Sequence, residues 1–178
     1  MTQRAEPPFR ADHVGSLLRP PALLDAREQF AAGAISRKEL RKAEDAAIVE
    51  AIAVQERIGL QSATDGEFRR RSWHMDFIYQ LGGITKTDQQ LTISMHNQAG
   101  ENSFVTPGMA VTSRVELEEP IFADDFLFVA KHVSSARPKL TIPSPSMVHY
   151  RGGNSSIDPV VYPELEEFWA DLDRKSVV

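Results

Sequence analysis

Ala63-Thr64-Asp65-Gly66-Glu67-Phe68-Arg69-Arg70-Arg71-Ser72-Trp73-His74-Met75-Asp76-Phe77 is the stretch on which the reading of this chain turns. An apolar run from Ile58 to Ala63 ends in two acids around a glycine, and a basic triplet and an aromatic segment follow. Charged groups at the end of a buried strand are costly unless they bind something, so this junction is a candidate site. A helix N-terminus with an acidic cap is the structural alternative. On an extended strand Asp65 and Glu67 share a face, with Cα atoms roughly 6.6 Å apart. A retaining glycosidase needs carboxyls about 5–5.5 Å apart, but such pairs flank the scissile bond and normally come from different strands. Recognition of a cationic group, such as a substrate ammonium, is the better use of these acids.

Upstream, Ser36 and Glu39 form a capping box, and Leu40, Ala43, Ala47, Ala51, Val54 and Ile58 follow at helical spacing as far as Gly59. Residues 1–8 read as a loose arm, residues 9–18 contain a strand candidate ended by Gly15-Ser16, and residues 21–34 read as a short helix or ordered loop. Downstream, a helix is expected over about 72–81, stopped by Gly82-Gly83. Residues 91–95 and 111–117 alternate apolar and polar, as half-exposed antiparallel strands do, with 96–108 as their loop. Residues 88–119 are therefore read as an inserted antiparallel hairpin. A helix opened by Pro120 and carrying Phe126, Val129 and Val133 comes next, then a strand over 138–142 broken by Pro143 and Pro145. A last helix begins near Pro163, and residues 173–178 abandon its period. The expectation is a single α/β domain over 1–178, with about three βα units and helices outside a parallel sheet. That is well short of the eight steps and about 250 residues of a closed barrel.

A chain of 178 residues with net charge -5 and a pI near 5.5 argues against nucleic acid or an anionic membrane as partner. Arg69 to Arg71 are too few charges to change that. The chain has no cysteine, which excludes disulfides and thiolate metal sites within it. No apolar run approaches the roughly 20 residues of a membrane span, and the N-terminus lacks a signal-peptide core, so a cytoplasmic location is the default. Gly15 lets the backbone approach a ligand and Ser16 supplies a hydroxyl and an N–H, although a simple turn has the same look. Residues 141–146 form a proline-stiffened loop with two serine hydroxyls, or a plain rigid turn. No His-x-x-x-His pair is present, so no zinc motif is visible. His13, His74 and His149 lie near strand ends and are pocket candidates; His96 and His132 read as surface residues.

Three strand-end motifs occur in order: Arg10-Ala11-Asp12-His13-Val14-Gly15-Ser16-Leu17-Leu18-Arg19-Pro20, then Thr64 to Arg70 with Ser72 to Phe77, then Thr141-Ile142-Pro143-Ser144-Pro145. Together they resemble the N-terminal half of the short bacterial proteins of the cobalamin-independent methionine synthase family, over roughly residues 9–172. The resemblance implies a (β/α)₈ TIM barrel, here partial, with its site at the C-terminal ends of the strands. It implies zinc-dependent transfer of a methyl group from methyltetrahydrofolate to homocysteine, in methionine biosynthesis. The zinc would hold the sulfur as thiolate, a nucleophile at neutral pH. By motif, Ser16 matches the residue that contacts the amino-acid part of homocysteine, and Glu67 the acid that pairs with its ammonium. Asp65 has no equally firm counterpart; His13, Trp73 and His74 are expected to line the pocket.

The family's zinc ligands are a His, two Cys and a Glu from later strands, and none of them is placed in this chain. A truncated member is therefore expected, inactive alone, binding no catalytic zinc and prone to self-association through an open sheet. Two other readings stand beside it. One is an epoxide-thiol alkyltransferase of the coenzyme M type, which would not need Glu67 as a cation partner; the other is a non-catalytic truncated half-barrel.

Overall fold

The structure is a computed structural model that describes residues 13–97 and 100–175. The expected arm over 1–8, residues 9–12 of the first strand candidate and residues 176–178 of the expected tail lie outside the described residues. Along the chain the elements are α1 (Pro21–Ala31), α2 (Arg37–Arg57), β1 (Ser62–Ala63), α3 (Met75–Ile78), β2 (Gly82–Asn97), β3 (Gly100–Glu116), α4 (Ala123–His132), β4 (Arg137–Pro138), α5 (Met147–Gly152) and α6 (Leu165–Lys175). The class is mixed α/β. The chain divides into two compact units, Met1–Trp73 with Phe122–Thr141, and His74–Ile121 with Ile142–Val178.

In the first unit, α2 is fixed at its start by the capping box: the Ser36 hydroxyl accepts from Glu39 N–H, and the Glu39 carboxylate accepts from Ser36 N–H at 2.8 Å. Ile48, Ala51 and Ile52 of α2 pack with Leu23 of α1, Ala63, Phe68 and Val129 in one apolar cluster. Ile58, expected on that face, is instead exposed, because the helix ends there and Gly59 turns the chain at a φ of 84°. Glu44 is fully buried on α2, 3.6 Å from the Arg27 guanidinium, and burial raises its pKa against the pull of the surrounding arginines. Residues 13–18, expected to include strand, carry none.

β1 and β4 pair in parallel, Ser62 with Arg137 and Ala63 with Pro138. Arg137 N–H donates to Gln61 O and Lys139 N–H to Ala63 O, both at 2.9 Å. Pro138 has no N–H to give, and it sits in the register where none is required. The two strand candidates at 60–63 and 138–142 thus shorten to two residues each. α4 starts at Ala123 rather than at Pro120, because Phe122 takes a left-handed φ of 60° that interrupts the helical path. Beyond α4, the Glu56 carboxylate gathers the N–H groups of Ser134, Ser135 and Ala136 at 2.7–2.9 Å, together with the Ser134 hydroxyl. Those donors hold its pKa down at about 2.

In the second unit, the expected helix over 72–81 contracts to α3. Gln80 N–H and Leu81 N–H reach back three residues, to Phe77 O and Ile78 O, so the turn tightens and stops before the glycines. β2 and β3 form an antiparallel hairpin from Gly82–Glu116 to Asn97–Gly100, longer than the insertion expected over 88–119 at its N-terminal side. The stretch expected as loop, 96–108, is strand wherever it is described; Pro107 is accommodated beside the register shift between Thr87 and Gln90, as strand prolines are. The alternation read over 111–117 holds in part: Val111 and Val115 are buried, with exposed polar residues between them. α6 covers this strand's unit with buried Phe168 and Leu172, and the Tyr162 hydroxyl bridges Val115 N–H (2.7 Å) to Asp171 (2.9 Å). α6 continues through Asp173 to Lys175, because backbone hydrogen bonds carry a helix past its last apolar residue. No helix among the described residues is long and apolar enough to cross a membrane.

Glu56 has a depressed folded-state pKa, so its stabilisation is present above its ordinary value of 4.5 and is lost as pH falls toward 2. The carboxyl resonance of Glu56 should titrate near 2, and Glu56→Gln should flatten the fall in urea midpoint between pH 4.5 and pH 2. Gln55→Ala would strip the buried backbone of Thr64 of both its partners and should lower stability by about 2–4 kcal/mol in urea unfolding at neutral pH.

Candidate functional site

The site grows from the end of β1. Gln55, on the buried face of α2, accepts from Thr64 N–H and donates to Thr64 O, both at 3.0 Å, and also donates to Ala51 O. A side-chain amide here takes the place of a sheet neighbour, which lets the strand end in the interior without orphaned backbone groups. The Thr64 hydroxyl donates to Gly15 O at 2.7 Å and accepts from Gly66 N–H at 3.1 Å, while Leu17 N–H donates to Gly66 O at 3.1 Å. These bonds join the Gly15-Ser16 motif to Asp65-Gly66-Glu67.

The chain then turns sharply. Gly66 and Glu67 both have left-handed φ, 67° and 59°, and Phe68 N–H donates to Asp65 O at 3.3 Å, the pattern of a type I′ turn. A Cβ on Gly66 would stand 2.7 Å from the Phe68 ring, so glycine is needed there on two counts. Glu67 has no such freedom, and a non-glycine residue in this region costs about 1–3 kcal/mol. Asp65 Oδ1 accepts from Glu67 N–H at 2.9 Å. Asp65 is 2% and Glu67 3% exposed, and Asp65 Oδ2 is buried without a hydrogen-bond partner.

Arginines surround the turn. Arg70 Nη1 lies 3.5 Å from Glu67 Oε1 and donates to Trp73 O at 3.4 Å, with the guanidinium 4.2 Å over the Phe122 ring. Arg19 Nη2 donates to Glu67 O (2.8 Å) and Arg70 O (2.7 Å), and Arg19 Nε to Phe68 O (3.4 Å). Arg27 donates to Phe68 O (3.0 Å) and Arg70 O (3.3 Å). Arg69 pairs with Asp45 of α2 (2.6 Å) and Asp125 of α4 (3.0 Å), and stacks 4.5 Å from the Phe128 ring. The result is a backbone turn held from several sides, with two buried carboxylates on it.

The structure brings five of the expected site residues, His13, Ser16, Asp65, Glu67 and Trp73, into the first unit. His13 O accepts from Lys139 Nζ at 2.5 Å, and Ser16 is exposed. Thr141, from the third motif, also reaches this place: a Cβ on Gly15 would fall 2.1 Å from Thr141 Oγ1, itself buried without a hydrogen-bond partner. Trp73 is 47% exposed and meets the turn through its carbonyl. His74 belongs to the second unit, where it is 4% exposed and its carbonyl accepts from Phe77 and Ile78 N–H. Gln55, Arg19, Arg27 and Arg70 were not picked out by reading the sequence. Arg19 and Arg70 lie inside the quoted motifs, and Gln55 is a polar residue at the period of a buried helix face; those were the available signals.

An opening of about 370 Å³ runs between α2 and Leu17-Leu18, with Val54, Ile58 and Leu60 among its walls. It holds His13 and Glu50 but neither Asp65 nor Glu67, so the hollow and the chemistry do not coincide. Zinc fits neither place: the chain has no cysteine, and among the described residues no three His, Asp or Glu side chains gather as a metal site requires.

The family profile described as "Cobalamin-independent synthase, Catalytic domain" matches residues 9–128. The uncharacterized protein YxjG of Bacillus subtilis is 39% identical over 150 residues, covering 84% of this chain and 39% of the relative. The methionine synthase of Sulfurisphaera tokodaii is 35% identical over 133 residues, covering 74% of this chain and 37% of the relative. A Listeria monocytogenes protein, provisionally assigned as a vitamin-B12 independent methionine synthase, has a solved structure that superposes with a TM-score of 0.70 at 35% identity, over 94% of this chain and 45% of that one. The chain thus spans about two-fifths of the length of the curated relatives it matches. It belongs to the cobalamin-independent synthase family, within the catalytic domain.

Proposed function

We propose that this chain supplies the amino-acid-anchoring part of a cobalamin-independent methionine-synthase type site, within a (β/α)₈ barrel completed by sequence beyond these 178 residues. In this reading residues 1–178 are one domain with the hairpin as an insertion, and the protein works in the cytoplasm on a small thiol. The observation that carries it is the buried carboxylate pair on the left-handed turn: among the described residues Asp65 Oδ2 has no hydrogen-bond partner, and Glu67 has Arg70 beside it at 3.5 Å. Unpartnered buried carboxylate oxygen is expensive, and an incoming ammonium with three donors relieves it. Glu67 takes the ammonium of homocysteine, Ser16 offers its hydroxyl and N–H to the amino-acid part, and Asp65 adds a second acceptor. His13 and Trp73 flank this place; His74 enters as a pocket residue through the resemblance alone.

The thiol chemistry lies elsewhere. Zinc would present the sulfur as thiolate and methyltetrahydrofolate would supply the methyl group; the chain has no cysteine, and among the described residues no three His, Asp or Glu side chains gather, so no methyl transfer is assigned to it alone. Two experiments follow. The isolated chain should carry negligible zinc by elemental analysis and show no methylation of homocysteine; stoichiometric zinc would refute the missing-donor account. In a parent extended through the remaining strands, Glu67→Gln should raise the KM for homocysteine by about tenfold or more while barely affecting a thiol without an amino group. Unchanged homocysteine KM would remove Glu67 from this role, and better turnover of a thiol lacking the ammonium would favour the epoxide-thiol alkyltransferase.

A further inference from the structure

We propose that Arg19 is a positioning residue that keeps Glu67 in its left-handed conformation and so aims its carboxylate at the substrate ammonium. This rests on the role given to Glu67 above. Glu67 is a glutamate in a backbone region that side chains avoid, so something other than local preference must hold it. Its N–H is taken by Asp65 Oδ1 at 2.9 Å, and its carbonyl is taken by Arg70 N–H at 3.1 Å and Arg19 Nη2 at 2.8 Å. The same guanidinium reaches Arg70 O at 2.7 Å and Phe68 O at 3.4 Å, so one rigid planar group ties three carbonyls of the turn together.

Arg27 does not duplicate it. Arg27 donates to Phe68 O and Arg70 O but not to Glu67 O, and it is paired at 3.6 Å with the buried Glu44. A lysine at 19 has a point charge with no fork, and cannot span three carbonyls at fixed angles. Arg19 also directly follows Leu17-Leu18, whose Leu17 N–H is bonded to Gly66 O at 3.1 Å. The approach of Arg19 is therefore set by the same strand-end contact that places Ser16, and the two halves of the amino-acid site are positioned as one piece.

The test uses Arg19→Lys, with Arg19→Gln read the same way if the lysine variant does not fold. In the extended parent, Arg19→Lys should raise the homocysteine KM about tenfold with kcat little changed, matching Glu67→Gln. In the present chain, the 13Cα shift of Glu67 should move out of its left-handed position, and replacing Glu67 with glycine should make stability less sensitive to the loss of Arg19. If Glu67→Gln raises KM and the folded Arg19 variant leaves it within twofold, the proposal is overturned. If Glu67→Gln leaves KM alone, the ammonium role fails by itself; a shifted Glu67 13Cα still supports the clamp, and an unmoved one overturns it.

Discussion

The exchange of hydrogen bonds between the Gln55 side chain and the backbone of Thr64 is the constraint on which the site depends. A strand of two residues cannot normally end inside a protein, because the next N–H and C=O have nowhere to go. Gln55 presents a donor and an acceptor in the geometry of a missing neighbour strand, from a helix held at its far end by its capping box. With the main chain of Thr64 satisfied, its hydroxyl is released to tie Gly15 to Gly66. An apolar residue at 55 would have packed as well and left the turn unsupported.

The turn itself combines strain with over-determination. A left-handed glutamate and a half-satisfied aspartate are unfavourable locally, and neither would persist on an ordinary surface loop. They persist because arginines from the N-terminal segment and α1 draw in the carbonyls that the turn frees, while Arg69 anchors it to Asp45 and Asp125. The surrounding structure thus spends its polar contacts on the backbone of the turn and leaves carboxylate oxygen over.

Much of this was legible in the residues. The capping box placed the start of α2, alternation announced the hairpin, and abrupt charge after an apolar run marked the buried turn at Asp65-Gly66-Glu67. What misled was local chemistry overridden by pairing. Asparagine, glycine and serine over 96–108 read as loop, yet the hairpin register runs through them and absorbs Pro107 at an irregularity. The helix expected over 72–81 lost to glycines and a tightening turn, and a left-handed Phe122 displaced the start of α4. Arg19 and Gln55 were invisible for another reason: their partners are backbone groups far along the chain, and side-chain patterns carry no record of those.

The contrast between the two sheets has a consequence for the order in which the protein assembles. The hairpin joins neighbours in sequence, so it zips from its own turn with little loop to close, on the microsecond scale typical of hairpins. The parallel pairing of Ser62 with Arg137 brings together residues separated by that whole hairpin and α4, and its entropy of closure falls due before its bonds form. Closing that pair is also what brings Lys139 within reach of His13 O. The turn carrying Asp65 and Glu67 directly follows β1, so its surroundings are complete only once that slow parallel pairing has formed.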